Sequence, residues 1–440
     1  MKPGTSKLDT RVIWAIALPA MLTNVATALI GIGDMWIVGR LGDASTQGAV
    51  DIGARLFAVL FTVMNFLKTG TTGLVAQEGA RSGADAQGAM LARALVVASV
   101  IAALLLLAKP VLQPTMLSLL GAEGVVLEAA RVYVDIRYWT APGVMLNLAL
   151  VGFLVGQRRM IAVLVLEIAY NALNVGLGLW FVLGLDAGIA GIGWSSFIAE
   201  YVKLAAVGAI VIRGAWPGLL QACADRTPLS WRGLAPFLTV NRDLFLRTVI
   251  LMVALAALTR LSAERGAVVL AANGILYQLF VFTALLLDGF ENAAQVLNGE
   301  RKGTHDRAGF EGYVKAILWR GFAAAGFVSL AFLILAEPIL ASFAATPEVQ
   351  AAAQAQAYWL AIIPFAGVAG FVFDGVYVGA SWTRALLATM AGAALVYALA
   401  LWVAWPLGNG GLWLAFVLFL VMRAALQFAL MPRQLDKSFG

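Results

Sequence analysis

The sequence predicts an all-α integral membrane protein, with twelve transmembrane helices in two pseudo-symmetric six-helix bundles. Three observations carry that prediction. The 440 residues are 62% hydrophobic and only 12% charged, where a soluble domain holds about 45–50% apolar and about 25% charged residues. One soluble core cannot hide such an excess, so it must face lipid. Apolar runs of about 20 residues, enough to cross a bilayer, recur along the whole chain. Motifs in the first half return in the second.

The spans fall at 12–39, 50–77, 89–108, 127–155, 161–184 and 189–213, then at 235–261, 267–297, 312–336, 350–379, 384–406 and 411–431. The first follows a basic start, MKPGTSKLDTR. It is too long for a signal-peptide core and no A-x-A cleavage pattern follows it closely, so it reads as an uncleaved helix. Residues 214–234 form the longest polar interruption. They mark a cytoplasmic linker between an N-terminal lobe, 1–213, and a C-terminal lobe, 235–440. With both termini inside, most of the 30 basic residues lie on cytoplasmic loops, as the positive-inside rule requires. The net charge of +6 is scattered over short loops, so no nucleic-acid partner is expected. Cys223 and His305 are the only cysteine and histidine. That excludes a disulfide framework and a histidine relay, and no metal or cofactor is expected. Proton chemistry must then run on carboxylates.

The repeat is visible in three places. GARSG from Gly79 returns as GERKG from Gly299, 220 residues on. Tyr138, Trp139, Pro142 and GFLVG (Gly152–Gly156) return as Tyr358, Trp359, Pro364 and GVYVG (Gly375–Gly379). KPVL from Lys109 returns as EPIL from Glu337. Six spans per half give both halves the same orientation, a parallel repeat with its substrate site expected between the lobes near the midplane. The small residues at four-residue spacing also suit close helix packing.

Polar residues inside the spans are costly and mark function by default. In span 1, Asn24, Thr27, Gly31 and Asp34 share one helical face. Pro19, nearer the inner end, removes a helical hydrogen bond and permits a kink. In span 5, Glu167, Asn171, Asn174 and Gly178 form a second stripe beside Tyr170, and Asn147 adds an amide from span 4. Convergence of these stripes would make a polar pocket around a carboxylate able to bind a proton. Span 8 carries Asn273, Tyr277, Asp288, Glu291, Gln295 and Asn298, and span 10 carries Asp374, a second acidic site. The 220-residue offset sets Asp288 equivalent to Lys68, a candidate ion pair closing the inner side. Glu200 and Lys203, at i,i+3, are expected to pair, as are Asp51 with Arg55 and Arg260 with Glu264. Trp36, Phe57, Phe61, Phe153, Phe280, Phe290, Phe373 and Tyr377 are candidates to line a cleft for flat cations. One histidine and no D-x-x-x-D motif argue against an intramembrane enzyme.

The chain resembles the multidrug and toxic compound extrusion (MATE) family, in its DinF-like branch. The resemblance rests on FLKTGTTGLVAQEGARSG from Phe66, LDGFENAAQ from Leu287, VFDGVYVGA from Val372 and the opening LPAML. It implies a cation-coupled exporter of amphipathic organic cations, multi-pass in a bacterial inner membrane and monomeric, with Asp34 as the coupling acid. Two positions depart from the branch. Gly178 stands where many relatives carry an Asp, and Gln295 where a Glu is frequent. A sodium site wants several oxygen ligands, so the first departure points to protons, with Na⁺ coupling or flipping of a lipid-linked intermediate as alternatives.

Overall fold

A chain this apolar must satisfy its backbone hydrogen bonds within each segment, and every regular element among the described residues is a helix. The computed structural model describes residues 9–39, 44–225 and 230–440; the side chains of 29–36, 38, 39, 44 and 225 lie outside the described residues. The helices are α1 (Arg11–Gly39), α2 (Ala44–Met64), α3 (Phe66–Ser82), α4 (Ala84–Leu119), α5 (Gly124–Arg137), α6 (Ala141–Gly156), α7 (Met160–Leu179) and α8 (Gly188–Asp225). They continue as α9 (Trp231–Glu264), α10 (Ala267–Gly303), α11 (Arg307–Phe343), α12 (Pro347–Gln354), α13 (Tyr358–Gly379), α14 (Thr383–Val403) and α15 (Gly408–Phe439).

Twelve segments of the described residues are long and apolar enough to cross a membrane. Several outrun the expected bounds, because hydropathy sees only the apolar part of a helix whose ends reach polar surroundings. Thus α8 continues to Asp225, and much of the 214–234 stretch is helical. The fourth span is broken by a 3₁₀ turn at Tyr138–Thr140. Pro142, in the first turn of α6, needs no helical donor there.

The chain divides into two units, Leu22–Asn241 and Arg242–Gly440 together with the residues up to Met21. One division falls in α1 just past Pro19, the other in α9, so neither coincides with the polar interruption. In the first unit α6 packs on α3 and α4, and α8 on α4 and α7. In the second, α13 packs on α10, α11 and α15. The spans containing α6 and α13 are each 72% buried, against at most 44% for the others. Strongly exposed apolar side chains such as Leu107, Trp319, Phe327 and Trp402 lie on other helices. Six expected cleft aromatics, Phe57, Phe153, Phe280, Phe290, Phe373 and Tyr377, are buried inside their own units. They serve the cores, because a ring gains most where it is fully packed.

The repeat is exact at the level of packing but its register is not 220. A Cβ on Gly152 would lie 2.6 Å from the Lys68 carbonyl oxygen, and one on Gly375 would lie 2.1 Å from that of Glu291. Arg158 and Ser381, 223 residues apart, have φ of 61° and 59°. Helices α7 and α14 then start at Met160 and Thr383, again 223 apart. The packing equivalent of Lys68 is therefore Glu291, one turn beyond Asp288. The GARSG and GERKG matches mislead because polar helix ends resemble one another whatever their register.

Gly375 and Gly379 let α13 touch the backbone of α10; a Cβ on Gly379 would come within 2.2 Å of the Gln295 carbonyl oxygen. Backbone cannot give way as a side chain can. Gly375→Ala is expected to destabilise the purified protein by about 1–3 kcal/mol, read as a lowered thermal midpoint. Gly274→Ala, on α10 with nothing within 4 Å of its added carbon, is the matched control and should cost nothing.

Candidate functional site

The first polar cluster lies in the unit Leu22–Asn241. Asn171 donates its amide to the Ala26 carbonyl at 2.7 Å. That bond joins α7 to the α1 backbone beside Thr27, whose own side chain is exposed. Thr27 donates to the Thr23 carbonyl within its own helix at 2.9 Å. Asn24 is half-buried. Asp34 and Gly31 belong to α1, but their side chains lie outside the described residues. The position of the missing acid is closed: a Cβ on Gly178 would meet Ile37 Cδ1 at 3.0 Å and Ser195 Oγ at 3.5 Å.

Lys203 pairs with Glu167 across α7 and α8 at 2.6 Å, not with Glu200 as the i,i+3 spacing suggests. Both side chains are nearly buried, 10% and 11% exposed. The ammonium also lies 4.7 Å from the centre of the Tyr170 ring. Glu200 instead accepts from the Asn147 amide at 2.7 Å. It makes no ion pair among the described residues. The side-chain oxygens of Asn147, Asn171 and Asn174 are buried without a hydrogen-bond donor among the described residues. By contrast, Asp51 pairs with Arg55 at 2.8 Å and Arg260 with Glu264 at 3.3 Å, as spacing predicts.

The second cluster lies in the other unit. Asp374, on the buried helix α13, is fully enclosed. It accepts from Arg247 of α9, from Arg423 of α15 at 2.5 Å and from Gln427 at 2.6 Å. Asp374 is thus the anchor of a buried charge network rather than an open acid. Arg247, Arg423 and Gln427 were not singled out from the sequence. An arginine inside an apolar run is the signal that could have found them, because a buried guanidinium requires a carboxylate. Asp288 accepts from Asn292, one turn on, at 2.9 Å. Glu291 is half-buried and has no hydrogen bond or ion pair among the described residues. Gln295 is buried where α13 crosses α10. Tyr277 packs beside Phe280, 5.9 Å between ring centres. Asn273 belongs to a separate amide patch with Asn409, Ser262 and Trp413. Lys68 is half-buried on α3.

Comparison with known proteins places these clusters in context. The MatE family model matches residues 19–180 and again 244–403, two copies related by the same repeat. The chain is 32% identical over 414 residues to DNA damage-inducible protein F of Escherichia coli (strain K12), covering 94% of this chain and 90% of that protein. It is 24% identical over 441 residues to a probable multidrug resistance protein NorM of Chromobacterium violaceum, covering 95% and 92%. Among solved structures, the bent form of the Vibrio cholerae MATE transporter VcmN matches with a TM-score of 0.88 at 16% identity over 98% of this chain and 97% of that one. An outward-facing MATE transporter of the MOP superfamily matches with a TM-score of 0.85 at 16% identity, over 98% and 97%. Matched by the family model in both halves and aligned with its relatives along nearly its whole length, the chain is a multi-pass membrane transporter of the MATE family.

Proposed function

We propose that this transporter is an H⁺-coupled antiporter that exports amphipathic organic cations by alternating access between its two lobes. The observation that carries the reading is Glu291. It is a carboxylate inside a membrane helix, beside Asp288, with no bonded partner among the described residues. An intramembrane acid that no side chain bonds attracts a cationic guest or a proton. Asp34 supplies the proton site on α1, in this reading, and Pro19 lets that helix bend as the site fills. A proton entering from outside reaches the N-terminal lobe, and the lobes rock about the substrate. Both termini are cytoplasmic in this reading, as the distribution of basic residues supports, and the likeness to the Escherichia coli protein supports a bacterial inner membrane.

Two buried guanidiniums, Arg247 and Arg423, would favour an anionic lipid headgroup if they faced a cleft unmatched. Both are held by Asp374, which counts against the flippase alternative. The test is efflux of an ethidium-type cation from proteoliposomes under an imposed pH gradient, then under a Na⁺ gradient. Efflux that follows the pH gradient alone supports the reading, and efflux that follows Na⁺ alone overturns it. In the same assay Glu291→Gln is expected to weaken apparent affinity for the cation about tenfold, about 1.4 kcal/mol, while the pH gradient still drives efflux.

A further inference from the structure

Asp374 holds two guanidiniums with one oxygen. Its Oδ2 accepts from both Arg247 and Arg423, and its Oδ1 accepts from Gln427 at 2.6 Å. The two arginines differ in burial. The Arg423 side chain is 4% exposed and that of Arg247 15%, so Arg247 stands at the rim of the network. It reaches Asp374 through Nη2 alone, and its Nε–H is buried without an acceptor among the described residues. A guanidinium that meets a carboxylate with two N–H groups makes the stronger bond, and Arg247 does not make one here.

A carboxylate that no side chain bonds is close by. Glu291 has no hydrogen bond or ion pair among the described residues. Arg247 lies within electrostatic reach of Glu291 and Asp288 as well as of Asp374. Glu291 lies within reach of Arg247, Arg423, Asp288 and Asp374. All of these groups belong to the unit that holds Arg242–Gly440. If Arg247 leaves, Asp374 keeps Arg423 and Gln427, and Glu291 can receive the guanidinium. We propose that Arg247 is a built-in competitor for Glu291: its guanidinium swings from Asp374 to Glu291 and displaces a cationic guest held there. In the arrangement seen here Arg247 is on Asp374, which leaves Glu291 without a bonded cation. A tethered competitor lowers the apparent affinity of a site by the share of time it occupies that site. This role rests on the reading of Glu291 as the acid that meets the exported cation.

The test is equilibrium binding and stopped-flow release of ethidium with the purified full-length protein in detergent. Arg247→Met is expected to bind ethidium about tenfold tighter than the wild type and to release it about tenfold more slowly. In a Glu291→Gln background the same change is expected to leave binding where Glu291→Gln alone puts it. Arg247→Lys, which keeps a tethered cation, is expected to release ethidium near the wild-type rate. Unchanged affinity in Arg247→Met, beside weakened binding in Glu291→Gln, would overturn the proposal. So would equal tightening in the Glu291→Gln background, which marks a long-range charge effect, or release by Arg247→Lys as slow as by Arg247→Met. Arg423 and Gln427 still hold Asp374 in each variant, so all are expected to fold. If both Arg247→Met and Arg247→Gln unfold, Asp374 cannot spare Arg247 and the competitor role falls. Equal ethidium binding by the wild type and Glu291→Gln would instead sink the reading of Glu291 itself, and the competitor role with it.

Discussion

Asp374→Asn is expected to destabilise the protein by about 3–5 kcal/mol, the usual cost of breaking a buried ion pair from one side. One oxygen of the carboxylate receives Arg247 and Arg423, and the other receives Gln427. An asparagine that turns its NH₂ toward the two guanidiniums sets donor against donor, and one that turns it toward Gln427 requires that amide to turn over. It also takes from two buried guanidiniums the one carboxylate they bond among the described residues. The Nε atoms of Arg247 and Arg423 already lack partners among the described residues, and the Gln427 side-chain oxygen lacks a donor there. Thermal unfolding of the purified protein is the direct measurement. Arg423→Met combined with Asp374→Asn should recover part of the loss, since it removes one of the stranded charges. A single mutant that melts within about 1 kcal/mol of the wild type would show that Asp374 is not the anchor.

Asp34→Asn is expected to carry the largest functional effect, reducing efflux driven by a pH gradient to the level of empty liposomes. The sequence leaves Glu167 and the C-lobe acids as fallbacks, since Gly178 stands where many relatives carry an Asp. At Gly178 an added Cβ would already press on Ile37 Cδ1 at 3.0 Å. Glu167 has its charge matched by Lys203. In the proposed reading the coupling acid of this lobe is then Asp34, with Glu200, tied to Asn147, as the rival that the variant tests. The variant must be shown to fold, and substrate binding without a gradient should survive, because an amide keeps the shape of the acid. Retained pH-driven efflux near the wild-type rate would move the coupling site to Glu200 or Glu291.

Much of the architecture was legible before any coordinates. Hydropathy located all twelve spans, and the polar stripe of α7 includes Asn171, which reaches the α1 backbone. Local spacing also identified the exposed pairs Asp51–Arg55 and Arg260–Glu264, because neighbours on one helix meet whatever the tertiary fold. The same rule failed for Glu200 and Lys203. Inside the membrane, an ammonium takes the best-placed carboxylate from any helix, and α7 offered Glu167. It failed for Asp374 too, which looked like an open acid until α9 and α15 delivered Arg247 and Arg423.

The sequence by itself determined the fold class, the number of spans, the internal duplication and the family, because composition, periodicity and motif order are properties of the chain read along its length. Only the tertiary structure decided the partners of the buried charges and the 223-residue register that makes Glu291, not Asp288, the counterpart of Lys68. The physical reason is the same in both cases. Buried charges and close backbone contacts are selected by which helix faces meet, and a one-turn shift, invisible in a motif match, changes which side chains do.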